Sequence, residues 1–171
     1  DFGNVHDLNC AQSEKDFAGH LWDRRDAGRR EGEPPIGRYL LDELMDDIRS
    51  GHNVVQTVFL ECHSMYRAAG PVEMRPVGEV EFVAGIAAMS ESGVYGPTRV
   101  CAGIVGHADL RLGEGVRPVL EAHIAAGGGR FRGIRHITAW DADASLMNPG
   151  YSPPRHLLAD PAFRAGFAEL G

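Results

Sequence analysis

Along residues 38–51, RYLLDELMDDIRSG, the apolar positions Leu40, Leu41, Leu44, Met45 and Ile48 recur at helical spacing, and Gly51 supplies a stop. The pattern changes in NVVQTVFLEC, residues 53–62, which is nearly all apolar and rich in β-branched residues. It predicts a strand buried on both faces. After the Gly70-Pro71 turn, helical spacing returns in PVGEVEFVAGIAAMSESG, with Val80, Val83 and Ala87 on one face and Gly93 at the close. TRVCAGIVG reads as a second buried strand, ending at HADL, and GEGVRPVLEAHIAAGGG as a third helix stopped by its glycines. RFRGIRHITAW predicts a third clear strand. DPAFRAGFAELG predicts a last helix, with Asp160 as its N-cap and Pro161 at the first helical position. Upstream, DFAGHLW, residues 16–22, is a weak first strand before the Pro-rich loop DRRDAGRREGEPPIG. Residues 1–15 lack any period and predict a loose arm.

Counted this way, strand and helix alternate four times. Strands apolar throughout, alternating with amphipathic helices, predict a parallel sheet covered by helices. A dinucleotide-binding sheet needs a Gly-rich turn after its first strand, and HLWDRR is not one. Gly127, Gly128 and Gly129 follow a helix, so they stop it and cradle no phosphate. The expectation is therefore α/β of the (β/α)8 TIM-barrel type. Only about the first four βα units are present, in one partial barrel domain over residues 16–171.

Composition narrows the function classes. A net charge of -7 argues against nucleic acid as a partner, since phosphate binding needs clustered Lys and Arg. The basic run Arg24, Arg25, Arg29, Arg30 is broken by Asp26 and Glu31 and reads as a solvated loop. The three cysteines, Cys10, Cys62 and Cys101, are widely spaced and form no disulfide framework, which makes a reducing cytoplasm the expected compartment. No apolar stretch approaches the roughly 18 residues of a membrane span, so no membrane partner is expected. Asp1 in place of Met points to a piece of something longer.

Barrel enzymes place their chemistry at the C-terminal ends of the strands. Here the first strand ends in His20, Trp22 and Asp23, and the second in Glu61, Cys62 and His63. The third ends in His107 and Asp109, and the fourth carries Arg135 and His136 with Asp141 beyond. Each single polar residue has a bland reading, because loops begin where strands end. Histidine at all four ends is harder to dismiss, since it is the side chain most used for ligation and proton transfer near neutral pH. Glu61 either works as an acid or base or pairs with a rim cation such as Arg135 or Arg67. Arg135 either binds a substrate carboxylate or pairs with Asp109 or Asp141. Trp22 and Trp140 could wall a pocket for a small organic substrate. His6, His52, His123 and His156 carry no assigned role.

Taken together, HLWD, RYLLDEL, VFLECHSMYRAAGP, PVGEVEFVAGIAAM, CAGIVGHADL and GGGRFRGIRH resemble the amidohydrolase superfamily, in its branch of metal-dependent, lactonase-like hydrolases. The resemblance spans residues 16–171. It implies a hydrolase acting on a small carboxylate-bearing lactone, ester or amide by water attack, with His107, His136 and Glu61 as catalytic residues. Arg135, His63 and Trp22 are then substrate-binding residues. The family's first strand ends in D-x-H-x-H-L-W-D, whose two histidines bind a divalent metal. Asp16 and His20 keep their places, but Ala18 stands at the first histidine position and cannot coordinate. His20 is thus the one metal ligand expected here, for zinc or manganese, and the family's remaining ligands would lie past Gly171. Some of this branch work without metal, through Arg and His. The alternatives are a truncated, non-catalytic family member and a metal-dependent decarboxylase. An incomplete barrel also predicts a homo-oligomer, or dependence on a missing C-terminal half.

Overall fold

In the computed structural model, the described residues are 40–147 and 153–171. The first helix, α1 (Leu41–Arg49), buries Leu41, Leu44, Met45 and Ile48, the stripe its spacing predicts. Glu43 reaches back to accept the Leu40 N–H at 2.7 Å, which satisfies one of the amide donors that every helix start leaves open. Asp42 and Glu43 in the first turn and Arg49 in the last both complement the helix dipole.

Three strands follow, β1 (Gln56–Leu60), β2 (Arg99–Gly106) and β3 (Phe131–Ile134), parallel and in the order β1-β2-β3. Helix α2 (Val77–Glu91) lies between β1 and β2 in sequence, and α3 (Arg117–Ala126) between β2 and β3. One core cluster joins the α1 stripe to Phe59, Val80, Val83, Ala87, Val100 and Ile104. A second gathers Ala108, Leu110, Val116, Val119, Leu120, Leu157 and Phe163. The last helix, α4 (Pro161–Ala168), starts as the sequence predicts, with the Asp160 carboxylate accepting the Phe163 N–H at 2.8 Å. It packs against the 3₁₀ segment Leu110–Val116, where a Cβ on Gly166 would lie 2.1 Å from the Leu110 carbonyl oxygen. Only glycine permits that approach.

Three expectations are corrected. The barrel is not formed: among the described residues the sheet is open and three-stranded, flanked by four α-helices. Alternating strand and helix patterns specify parallel strands joined by crossovers, but nothing in that periodicity specifies closure. β1 is not buried on both faces either. Phe59 is fully enclosed, whereas Val58 and Leu60 on the other side of the strand are 50% and 41% exposed. Finally, the strand expected through Trp140 ends at Ile134. Arg135 adds one more ladder bond, its N–H donating to the Gly106 carbonyl at 2.8 Å, and with His136 it enters the site described below. The weak first strand at DFAGHLW and the N-terminal arm lie outside the described residues. No helix among the described residues is long and apolar enough to cross a membrane.

Candidate functional site at the strand ends

All three strands deliver titratable side chains to their C-terminal ends. Glu61 continues β1 for one more ladder bond, its N–H donating to the Val105 carbonyl at 2.8 Å. Its side chain is completely buried. One carboxylate oxygen lies 2.6 Å from His63 Nδ1, and the other accepts from Arg135 Nε at 2.8 Å. Arg135 Nη2 also donates to the Glu61 carbonyl oxygen. Burial by itself would raise the Glu61 carboxyl. The hydrogen bond from His63, that imidazole's charge when protonated, and the bond and charge of Arg135 outweigh it and bring the pKa down to about 2. Glu61 is therefore a carboxylate at any physiological pH.

Three imidazoles form a row beside this pair. The His63 ring centroid is 5.6 Å from that of His107, which is 5.5 Å from that of His136. His63 stacks on Tyr66 at 5.0 Å, and His136 meets Phe163 of α4 edge-on at 5.2 Å. His107 Nδ1 lies 3.0 Å from the Arg135 carbonyl oxygen, which only accepts, so Nδ1 carries the proton. Burial lowers the His107 pKa and favours the neutral ring, leaving an electron pair on Nε2. Burial likewise lowers His136. Its Nδ1 sits 3.3 Å from both the Leu110 N–H and the Ala108 carbonyl, so either tautomer finds a backbone partner. An imidazole balanced in this way can carry its proton on either nitrogen at similar cost.

Sequence position alone left the pairings open, and the structure assigns them. Glu61 takes Arg135, while Arg67 pairs with Glu81 and Asp109 with Arg111. Glu61, His63, His107, Arg135 and His136 thus come together. Trp140 is set apart on the surface, with the Arg155 guanidinium 5.2 Å from its ring centre. His20, Ala18 and Trp22 lie outside the described residues.

Two site residues had no assigned role in the sequence reading. Glu79, at the third position of α2, is fully buried and accepts from Cys62 N–H at 3.0 Å and Ser64 N–H at 2.9 Å. His123 on α3 is also fully buried and donates from Nε2 to the His107 carbonyl at 2.8 Å, with its ring stacked on Phe131. Both fall on the apolar faces of their helices, Glu79 beside Val80 and Val83, His123 beside Val119 and Leu120. That placement is the signal that could have found them, because a buried charge or imidazole needs partners.

A divalent metal does not fit the described part of this site. Glu61 is already held by a guanidinium and an imidazole, and among the described residues no group of three or more His, Cys, Asp or Glu could hold a metal ion. No family model, curated protein or solved structure matches the chain.

Proposed function

We propose that the strand-end cluster is the active site of a hydrolase acting on a small carboxylate-bearing lactone, ester or amide. The observation that carries this reading is the fully buried, ionised Glu61 held 2.6 Å from His63 Nδ1. A carboxylate in that position fixes the tautomer and orientation of its histidine, with the proton on Nδ1 and the electron pair on Nε2 for use as a base. The His63 Nε2 takes a proton from water as the water oxygen bonds to the substrate carbonyl carbon. His136, in the tautomer with Nδ1 accepting from Leu110, presents Nε2–H to the carbonyl oxygen as negative charge develops there. The carbon–heteroatom bond then breaks, and the leaving group receives the proton from His63. Arg135 is engaged by Glu61 through Nε and Nη2, so its part is to keep that carboxylate ionised and to lend positive charge that draws an anionic substrate. The resemblance to amidohydrolases supports the same chemistry. The test is a panel of small lactones, esters and amides, with and without a carboxylate and with added zinc, manganese or chelator. The reading expects hydrolysis that favours the carboxylate-bearing members; no turnover of any member contradicts it.

A second reading is a non-catalytic assembly unit. The exposure of Val58 and Leu60 on one side of an open sheet supports it. Sedimentation across a concentration series tests this reading, which expects self-association that Val58→Lys abolishes.

A further inference from the structure

The loop after β1 carries His63 in an unusual backbone conformation. His63 and Met65 have φ of 62° and 51°, a left-handed region that side-chain-bearing residues seldom adopt. Histidine tolerates that region better than most side chains, but the conformation is still costly and persists where surrounding contacts hold it. The N–H groups of Cys62 and Ser64, on either side of His63, converge on a single atom, Glu79 Oε1, at 3.0 and 2.9 Å. The Ser64 hydroxyl donates to the same oxygen at 3.2 Å. Successive amides around a left-handed residue form a concave anion site, and here an internal side chain fills it. The first turn of α2 is pressed against the same loop, since a Cβ on Gly78 would lie 2.5 Å from the Met65 carbonyl oxygen. Glu79 Oε2, by contrast, meets no hydrogen-bond partner among the described residues.

We propose that Glu79 is the positioning residue of the site: by gathering the amides on both sides of His63 onto one oxygen, it fixes the loop in which the imidazole meets Glu61. The inference rests on the hydrolytic reading for its functional meaning, although the geometry it explains does not. Burial first, and then the neighbouring Cys62 and Glu61, hold the Glu79 carboxyl well above the usual range, against the pull of the Ser64 and Cys62 amides. All three bonds fall on Oε1 and none on Oε2 among the described residues. The working feature is then one accepting oxygen, which a glutamine also supplies.

The experiment is proton NMR of the His63 Nδ1–H, assigned by its loss in His63→Asn, in the intact protein and in Glu79→Gln, Glu79→Asp and Glu79→Leu. Hydrolysis is measured alongside. Glu79→Gln is expected to keep both the hydrogen-bonded resonance and kcat. Glu79→Asp draws the oxygen back by one methylene, and Glu79→Leu removes it. Both are expected to shift or broaden the resonance and to lower kcat about a hundredfold, the scale of an ångström-level misplacement. If Glu79→Leu does not fold, Glu79→Asp carries the same test. An unmoved resonance in Glu79→Asp, or its loss in Glu79→Gln, would overturn the proposal. A wild-type protein that hydrolyses nothing, yet shows the expected resonance pattern, would overturn the hydrolytic reading and leave the positioning role standing.

Discussion

The two ends of the sheet solve the same problem with different side chains. At the end where β2 begins, buried backbone groups are satisfied by neutral hydroxyls. Ser90 donates to the Thr98 carbonyl at 2.8 Å and accepts the Val100 N–H at 3.0 Å, and Thr98 donates to the Val54 carbonyl at 2.8 Å. At the opposite end Glu61, Glu79 and His123 are buried beside the half-buried His107, Arg135 and His136, and the buried hydroxyl of Ser64 itself donates to a carboxyl oxygen of Glu79. A hydroxyl can close a ladder without a charged form to desolvate. Burying a charge costs far more and needs dedicated partners. The expensive solution appears only where the strands end, in the place where parallel sheets bind their ligands. That contrast separates packing from chemistry within one sheet.

The contrast breaks most visibly at Glu61. Replacing it with leucine leaves Arg135 without its carboxylate and should destabilise the fold by about 3 kcal/mol, at the lower end for a buried pair because the guanidinium retains some solvent access. Chemical denaturation measures this. Arg135→Met should cost less, about 2 kcal/mol as a lost charge-assisted hydrogen bond, and should raise the Glu61 pKa from about 2. Carbon-13 NMR of the Glu61 carboxyl reads that shift. A binding defect without any loss of stability would instead make Arg135 a substrate clamp.

Acid should separate the two ends without any mutation. Folding lowers the pKa values of His107, His123 and His136, through burial first, so the unfolded chain binds protons more readily. Their contribution to stability is complete above the unfolded value of 6.5 and is lost as the pH falls below it. Glu61 adds a loss at lower pH, beginning near 4.5 and complete near 2. Glu79 has the opposite sign, since its raised pKa stabilises below 4.5 and is lost as the pH rises through the folded value. Urea midpoints at pH 7.5 and 5.5 should show a less stable protein at the lower pH, and more clearly in Glu79→Gln, where the opposing carboxyl is removed. A flat profile in Glu79→Gln would mean that the imidazoles are not buried neutral.

Smaller effects belong to the other end and to the surface. Ser90→Ala should cost about 1–2 kcal/mol through the amide and carbonyl it leaves unsatisfied, with no change in any reaction rate. Arg67→Ala removes an exposed ion pair with Glu81 and should change stability by less than about 1 kcal/mol.

Helices bounded by strong local signals were legible in the chain. The α1 stripe and the Asp160-Pro161 start of α4 follow from spacing and capping, which act within one turn. His63, His107 and His136 were also legible as strand-end residues, because the strands that aim them are apolar runs of ordinary length. Their partners were not. Glu61 and Arg135 are 74 residues apart, and nothing local distinguishes Arg135 from Arg67 as the cation that Glu61 takes. Sheet closure was illegible for a similar reason, since strand periodicity says which residues point up or down and not how many strands meet. The left-handed backbone at His63 is not specified by ECHSM, and the side chain that gathers the amides on either side of it, Glu79, comes from α2.

The central claim is that the strand-end cluster exists for chemistry and the hydroxyl end for packing. The most direct test compares kcat/KM and unfolding free energy for His63→Asn and Ser90→Ala on the same substrate. Asparagine tolerates the positive φ at residue 63, so that variant should fold. The account predicts that His63→Asn loses about a hundredfold or more in kcat/KM, the usual worth of a general base, while its stability falls by no more than about 2 kcal/mol, the worth of the hydrogen bond to Glu61. Ser90→Ala should lose stability and keep its kcat/KM. A His63→Asn protein that hydrolyses at the wild-type rate, or one that loses stability in place of rate, would contradict the account.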